Sequence, residues 1–73
     1  MKVKNILPKM NESILKVFSD RKMVVENYHF MDELSDDKIV LRDYIIEGKK
    51  LIVKRMDGFL IEIEGDIDKI TLV

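Results

Sequence analysis

The chain has 73 residues, 13 basic and 14 acidic side chains, a formal charge of −1, one histidine and no cysteine. That length bounds it to one small domain with a thin stability margin. The composition excludes disulfides and a cysteine-based zinc site, and the charge argues against a protein built to wrap nucleic acid.

Residues 1–11, MKVKNILPKMN, hold Lys2, Lys4 and Lys9, no acid, and the chain's one proline, Pro8. Proline disfavours a helix through Leu7, so the segment is expected to be a flexible basic N-terminal arm, with 12–73 forming a single β-domain. No apolar run exceeds three residues, too short for a membrane span. The N-terminus lacks an apolar signal core. The expected location is cytoplasmic, at most peripheral to a membrane.

Residues 13–18, SILKVF, read as a first strand, and Ser19-Asp20-Arg21 as a turn. Residues 22–28, KMVVENY, follow as a second strand rich in β-formers. His29–Leu34 has apolar residues at helical spacing but is too short for a helix. It is read as a strand ending in an acidic turn at Ser35-Asp36-Asp37. KIVLR at 38–42 resumes strand character.

The stretch from Tyr44 to Val73, YIIEGKKLIVKRMDGFLIEIEGDIDKITLV, is punctuated by Gly48, Gly58 and Gly65. Each glycine sits where a two-residue hairpin loop would fall. Loops at Gly48-Lys49, Asp57-Gly58 and Gly65-Asp66 predict a four-stranded meander. In that register Met56 faces Phe59, Lys54 faces Ile61 and Ile52 faces Ile63, with Ile61 also facing Ile70. Ile52, Phe59, Ile61, Ile63 and Ile70 are then the expected core, and Lys54 is the one residue out of place. The strand rhythm over the whole chain predicts an all-β antiparallel meander of about 7–8 short strands, as a small sandwich or partly closed barrel.

No residue pattern carries catalytic or cofactor chemistry. His29 has no neighbouring serine or cysteine in triad order and reads as a turn or surface residue. Asp36-Asp37 and Asp66 with Asp68 lack the spacing of a calcium loop and read as turn acids. Glu62 and Glu64 share one strand face, directed outward. The expected catalytic, cofactor and metal sites are therefore none. The informative residues are apolar. Tyr44, Ile46, Leu51, Val53 and Leu60 fall on the predicted outer face, and Ile70 and Leu72 lie on a last strand with no charge after Lys69. An unguarded edge of that kind invites pairing with another chain. These seven residues form the candidate interaction surface, for a protein partner or for self-association into a homo-oligomer.

MVVEN at Met23–Asn27, KIVLR at 38–42, IIEGKKLIV at Ile45–Val53 and FLIEIEGDIDKITL at Phe59–Leu72 together resemble the YabP/YqfC family of small sporulation proteins. The likeness runs from about Ile14 to Leu72, roughly four-fifths of the chain. Ser19-Asp20 stands where that family tends to have a turn glycine, and His29-Phe30 where it tends to have a basic residue and glycine. The resemblance implies a non-enzymatic interaction module in spore envelope or cortex assembly, acting with a sporulation membrane-protein partner. It supplies no catalytic residues. The alternative is a small RNA-binding β-barrel, which needs exposed aromatics among basic residues. Tyr44 near Arg42 and Arg55 is its one candidate.

Overall fold

A computed structural model describes residues 12–73; the expected basic arm at 1–11 lies outside the described residues. The strands are β1 (Ile14–Ser19), β2 (Lys22–Glu26), β3 (Met31–Leu34), β4 (Lys38–Leu41), β5 (Tyr44–Met56) and β6 (Leu60–Leu72). The architecture is all-β and antiparallel: one open six-stranded sheet in the order β1-β2-β6-β5-β4-β3. The short strands of the first half lie where β-propensity and turn residues put them. Asp20-Arg21 turns β1 into β2. Ser35 closes the β3–β4 turn, its N–H donating to the Lys38 carbonyl at 2.9 Å and its hydroxyl to Asp37 Oδ1 at 2.7 Å.

The second half departs from expectation. Among the described residues there are six strands rather than seven or eight, because the hairpins predicted at Gly48-Lys49 and Gly65-Asp66 do not exist. β5 and β6 run 13 residues each, straight through those glycines, as one long hairpin. The predicted turn at 57–58 is real, but it closes between Asp57 and Leu60, with the Asp57 N–H donating to the Leu60 carbonyl at 2.9 Å. Met56 therefore pairs with Ile61, not with Phe59.

Both glycines mark places where another backbone comes too close for a side chain. A Cβ on Gly48 would run into the Asp66 carbonyl. A Cβ on Gly65 would sit 2.5 Å from the Lys50 carbonyl oxygen, and Gly65 holds φ at +139°, a conformation glycine alone adopts freely. A short hairpin docks by its tip at each bend. The N–H groups of Gly65 and Ile67 donate to the carbonyls of Arg21 and Asp20 at 3.1 and 2.9 Å, and those of Gly48 and Leu51 to Asp37 and Asp36 at 3.1 and 2.8 Å. The turn acids Asp20, Asp36 and Asp37 thus lend backbone carbonyls to the bends. The Arg21 guanidinium also pairs with Asp66.

Pairing is interrupted three times along the long hairpin: at Asp68 on β6, at Lys50-Leu51 opposite Gly65, and at Lys54. Such bulges bend and twist a ribbon. The bent sheet is sandwich-like, and Met23 and Val25 of β2, Ile39 and Leu41 of β4, Ile46 and Leu51 of β5, and Ile61 and Ile63 of β6 share one core with Tyr28. Ile61 and Ile63 are buried as expected and Ile70 is half-buried. Ile52 and Phe59 are not core: each is more than half exposed. A bulge shifts the side-chain alternation by one, so Leu51, not Ile52, points inward. The same arithmetic places Val53 opposite Ile63 and leaves Lys54 unpaired in its bulge, which removes the one charge that the simple register put into the core.

Candidate functional site

The seven residues of the candidate interaction surface do not form one exposed patch. Ile46 and Leu51 are buried in the core, which corrects their expected place on an outer face. Tyr44, Val53 and Ile70 are half-buried and pack against that core. Leu60 is half-buried at the other end of the long hairpin, opposite Glu26. Leu72 alone is largely exposed, at 71%. Tyr44, Ile70 and Leu72 remain together, because Tyr44 pairs with Leu72 and Ile46 with Ile70.

What they border is an open strand edge. β2 covers β6 from Leu60 to Glu64, and the β1–β2 turn reaches as far as Ile67. Beyond that, no strand among the described residues lies along β6 on that side. The far side of this segment is regular: Tyr44, Ile45, Ile46 and Glu47 pair with Leu72, Thr71, Ile70 and Lys69 without interruption. The Val73 N–H donates to the Asp43 carbonyl at 2.8 Å. Strand alternation then turns the N–H groups of Ile70 and Leu72 outward, away from β5.

Other exposed edges of the sheet are guarded. β1 carries Lys16 and a bulge that leaves Phe18 unpaired. β3 carries Asp32 and Glu33 with a bulge between Met31 and Glu33. The open part of β5 carries Lys54, Arg55 and the bulge at Lys54. Charges and bulges of this kind block pairing with foreign strands. Ile70, Thr71 and Leu72 have neither, which agrees with the sequence expectation for this stretch.

A cleft of about 330 Å³ opens beside the end of this edge, lined by Glu12, Ser13, Arg42, Asp43, Tyr44, Leu72 and Val73. Glu12, Ser13, Arg42, Asp43 and Val73 were not legible as a group, since the cleft joins the chain's three segments around residues 12, 43 and 72. Ser13 ties these segments together. The Ser13 Oγ lies 2.8 Å from both the Asn27 carbonyl and Asp43 Oδ2. One hydroxyl proton serves both acceptors. The Tyr44 hydroxyl donates to the Ser13 carbonyl at 3.4 Å, and Arg42 Nε stands 3.6 Å from Asp43 Oδ1.

The far tip of the long hairpin is tied down separately. Tyr28 donates its hydroxyl to the Asp57 carbonyl at 2.7 Å, and the Asn27 N–H donates to the Phe59 carbonyl at 2.6 Å. Asp57 Oδ1 accepts from the N–H groups of Phe59 and Leu60 at 2.7 and 2.8 Å. Those two donors hold its carboxyl below the ordinary aspartate value of 3.8. His29 lies in the β2–β3 connection with φ at +70°. Among the described residues no three His, Cys, Asp or Glu side chains gather as metal ligands, and no helix is long and apolar enough to cross a membrane. The chain matches no family model, no curated protein and no solved structure.

Proposed function

We propose that this protein is a non-enzymatic interaction module that binds a protein partner by adding a strand to the open edge of β6. One observation carries the reading: Ile70–Leu72 is a regular strand segment, open on one side among the described residues and without the charges and bulges that guard the other edges. An extended segment laid there gains main-chain hydrogen bonds from the outward N–H and C=O groups, while exposed Leu72 and Val73 give apolar contact. The likeness of the strand motifs to YabP/YqfC proteins supports a role in sporulation, with a membrane protein of the spore envelope or cortex machinery as partner. The same edge serves for self-association.

Leu72→Pro tests this. Proline removes an N–H that points away from β5, a position where edge strands tolerate it. The variant should keep its circular dichroism and melting profile while losing binding to the soluble part of a sporulation membrane protein that the wild type binds. It should also lose any dimer seen by sedimentation velocity. Partner binding at wild-type strength in folded Leu72→Pro would overturn the reading. Binding to single-stranded RNA that weakens with salt and survives Leu72→Pro would favour the RNA-binding alternative instead.

A further inference from the structure

A strand edge with neither charge nor bulge is ordinarily covered by another part of its own chain. Resting on the edge-binding reading, we infer that residues 3–7 lie along residues 68–72 of β6 as an added parallel strand, and that a partner binds by displacing them. Every strand among the described residues already has its place in the sheet. Within these 73 residues, the segment left to reach the edge is 1–11.

The place where that segment joins the described chain carries the argument. Glu12 lines the cleft together with Leu72 and Val73. Ser13 is held to Asp43 and Tyr44 through its hydroxyl and its carbonyl. Asp43 accepts the Val73 N–H, and Tyr44 pairs with Leu72. Residue 12 therefore stands at the C-terminal end of the open edge. A chain running back from there towards Asp68 has the same direction as β6, which makes the pairing parallel.

Length and composition fit the same occupant. A strand advances about 3.3 Å per residue, so residues 3–7 match residues 68–72 one for one. Residues 8–11 then form a link of up to about 13 Å. The segment 3–7 reads VKNIL, with Val3, Ile6 and Leu7 and no proline, and Pro8 follows it. Proline has no N–H to give a ladder, so pairing ends where the link begins. Charge agrees: residues 1–11 hold Lys2, Lys4 and Lys9 and no acid, while all 14 acids stand in 12–73 against the other ten bases. Asp68, where the open edge begins, is exposed.

Amide exchange and a spin label on the whole protein test this, at a concentration where sedimentation shows a monomer. The Ile70 and Leu72 N–H groups point away from β5; they exchange freely on an open edge and are bonded under residues 3–7. Their exchange should be about tenfold or more slower in wild type than in the double variant Asn5→Pro, Ile6→Pro. Adjacent prolines leave the segment no register with a full ladder. The chain has no cysteine, so a nitroxide on Asn5→Cys is the single label. It should broaden the amides of Ile70–Leu72 more than those of β3, which β5 and β4 separate from β6. A partner that the wild type binds should bind the double variant about fivefold or more tighter, because the competing segment is gone. Equally fast exchange in both proteins would overturn the inference and leave an open edge standing. Equally slow exchange in both would overturn it too, and so would a label that broadens β3 as much as β6, whether or not the double variant folds. Equal partner affinity would overturn the displacement. Partner binding by Leu72→Pro judges the edge separately.

Discussion

The hairpin tip at Asp57–Leu60 and the two bends at Gly48 and Gly65 look alike in sequence and do opposite things. At the tip the chain reverses, yet Gly58 has open space around it and no positive φ. The turn is held by the Asp57 carboxylate and by its own backbone bond. At the bends the chain continues, and the glycines are there because a carbonyl of the opposite strand occupies the place of a side chain. A glycine between two β-runs is thus either a turn or a crossing of backbones, and only the partner strand decides which.

The bends set which residues are inside, so the largest effects should separate neighbours there. Leu51→Ala and Ile61→Ala each remove a buried side chain and should destabilise by about 2–5 kcal/mol. Ile52→Ala, one residue along, should stay within about 0.5 kcal/mol because its side chain is mostly in solvent. Urea midpoints for the three variants check this. An Ile52→Ala loss as large as that of Leu51→Ala would restore the simple register and dissolve the bend.

The glycines come next. Gly65→Ala must adopt φ near +139° and meet the Lys50 carbonyl, and should cost about 1–3 kcal/mol from the backbone conformation alone. Gly48→Ala has no positive φ to pay for but drives a methyl group into the Asp66 carbonyl, an overpacking cost of about 1–3 kcal/mol. Gly58→Ala should do the reverse. With room for the methyl group and a compatible φ, it should stabilise by about 0.4–1 kcal/mol through the unfolded chain. Thermal melts of the three alanine variants order them. Destabilisation by Gly58→Ala comparable to the others would mean the tip, too, depends on glycine.

These contrasts show what was readable in the residues. Local signals were sufficient for β1 to β4, where turn acids and serines lie between short β-rich runs, and for the reversal near Asp57. Inward Ile61 and Ile63 followed from alternation. Long-range pairing was not readable: nothing within Tyr44–Met56 states that the tips of two other hairpins dock at Gly48 and Gly65. One signal was present. Lys54 in a predicted core row marked a register that real packing would refuse, and a bulge at Lys54 resolves it. For the candidate site, the uncharged end of β6 was legible as an edge. Ile46 was misplaced by the turn expected at Gly48-Lys49, which β5 runs through, and Leu51 by the bulge beside it; the cleft around Glu12 and Asp43 depended on a fold-back that no local pattern encodes.

The smallest expected effect belongs to the tip and depends on pH. The Phe59 and Leu60 N–H groups bond the charged form of Asp57 and hold its carboxyl below 3.8. A carboxyl lowered in the folded state binds its proton less readily there than in the unfolded chain, so its contribution to stability is fully present above the unfolded value. It is lost as pH falls through the lower folded value. Asp57→Asn keeps an oxygen acceptor for the turn but has no proton to bind in this range. Wild type should therefore be more stable than Asp57→Asn at neutral pH, with the gap constant down to about pH 5 and closing as pH drops below 3.8. The carboxylate is fully exposed, so water screens the effect and the gap is small. Urea midpoints of both proteins at matched pH values read it directly. A gap that stays constant into strong acid would show that the turn needs only an oxygen at Asp57 and not its charge.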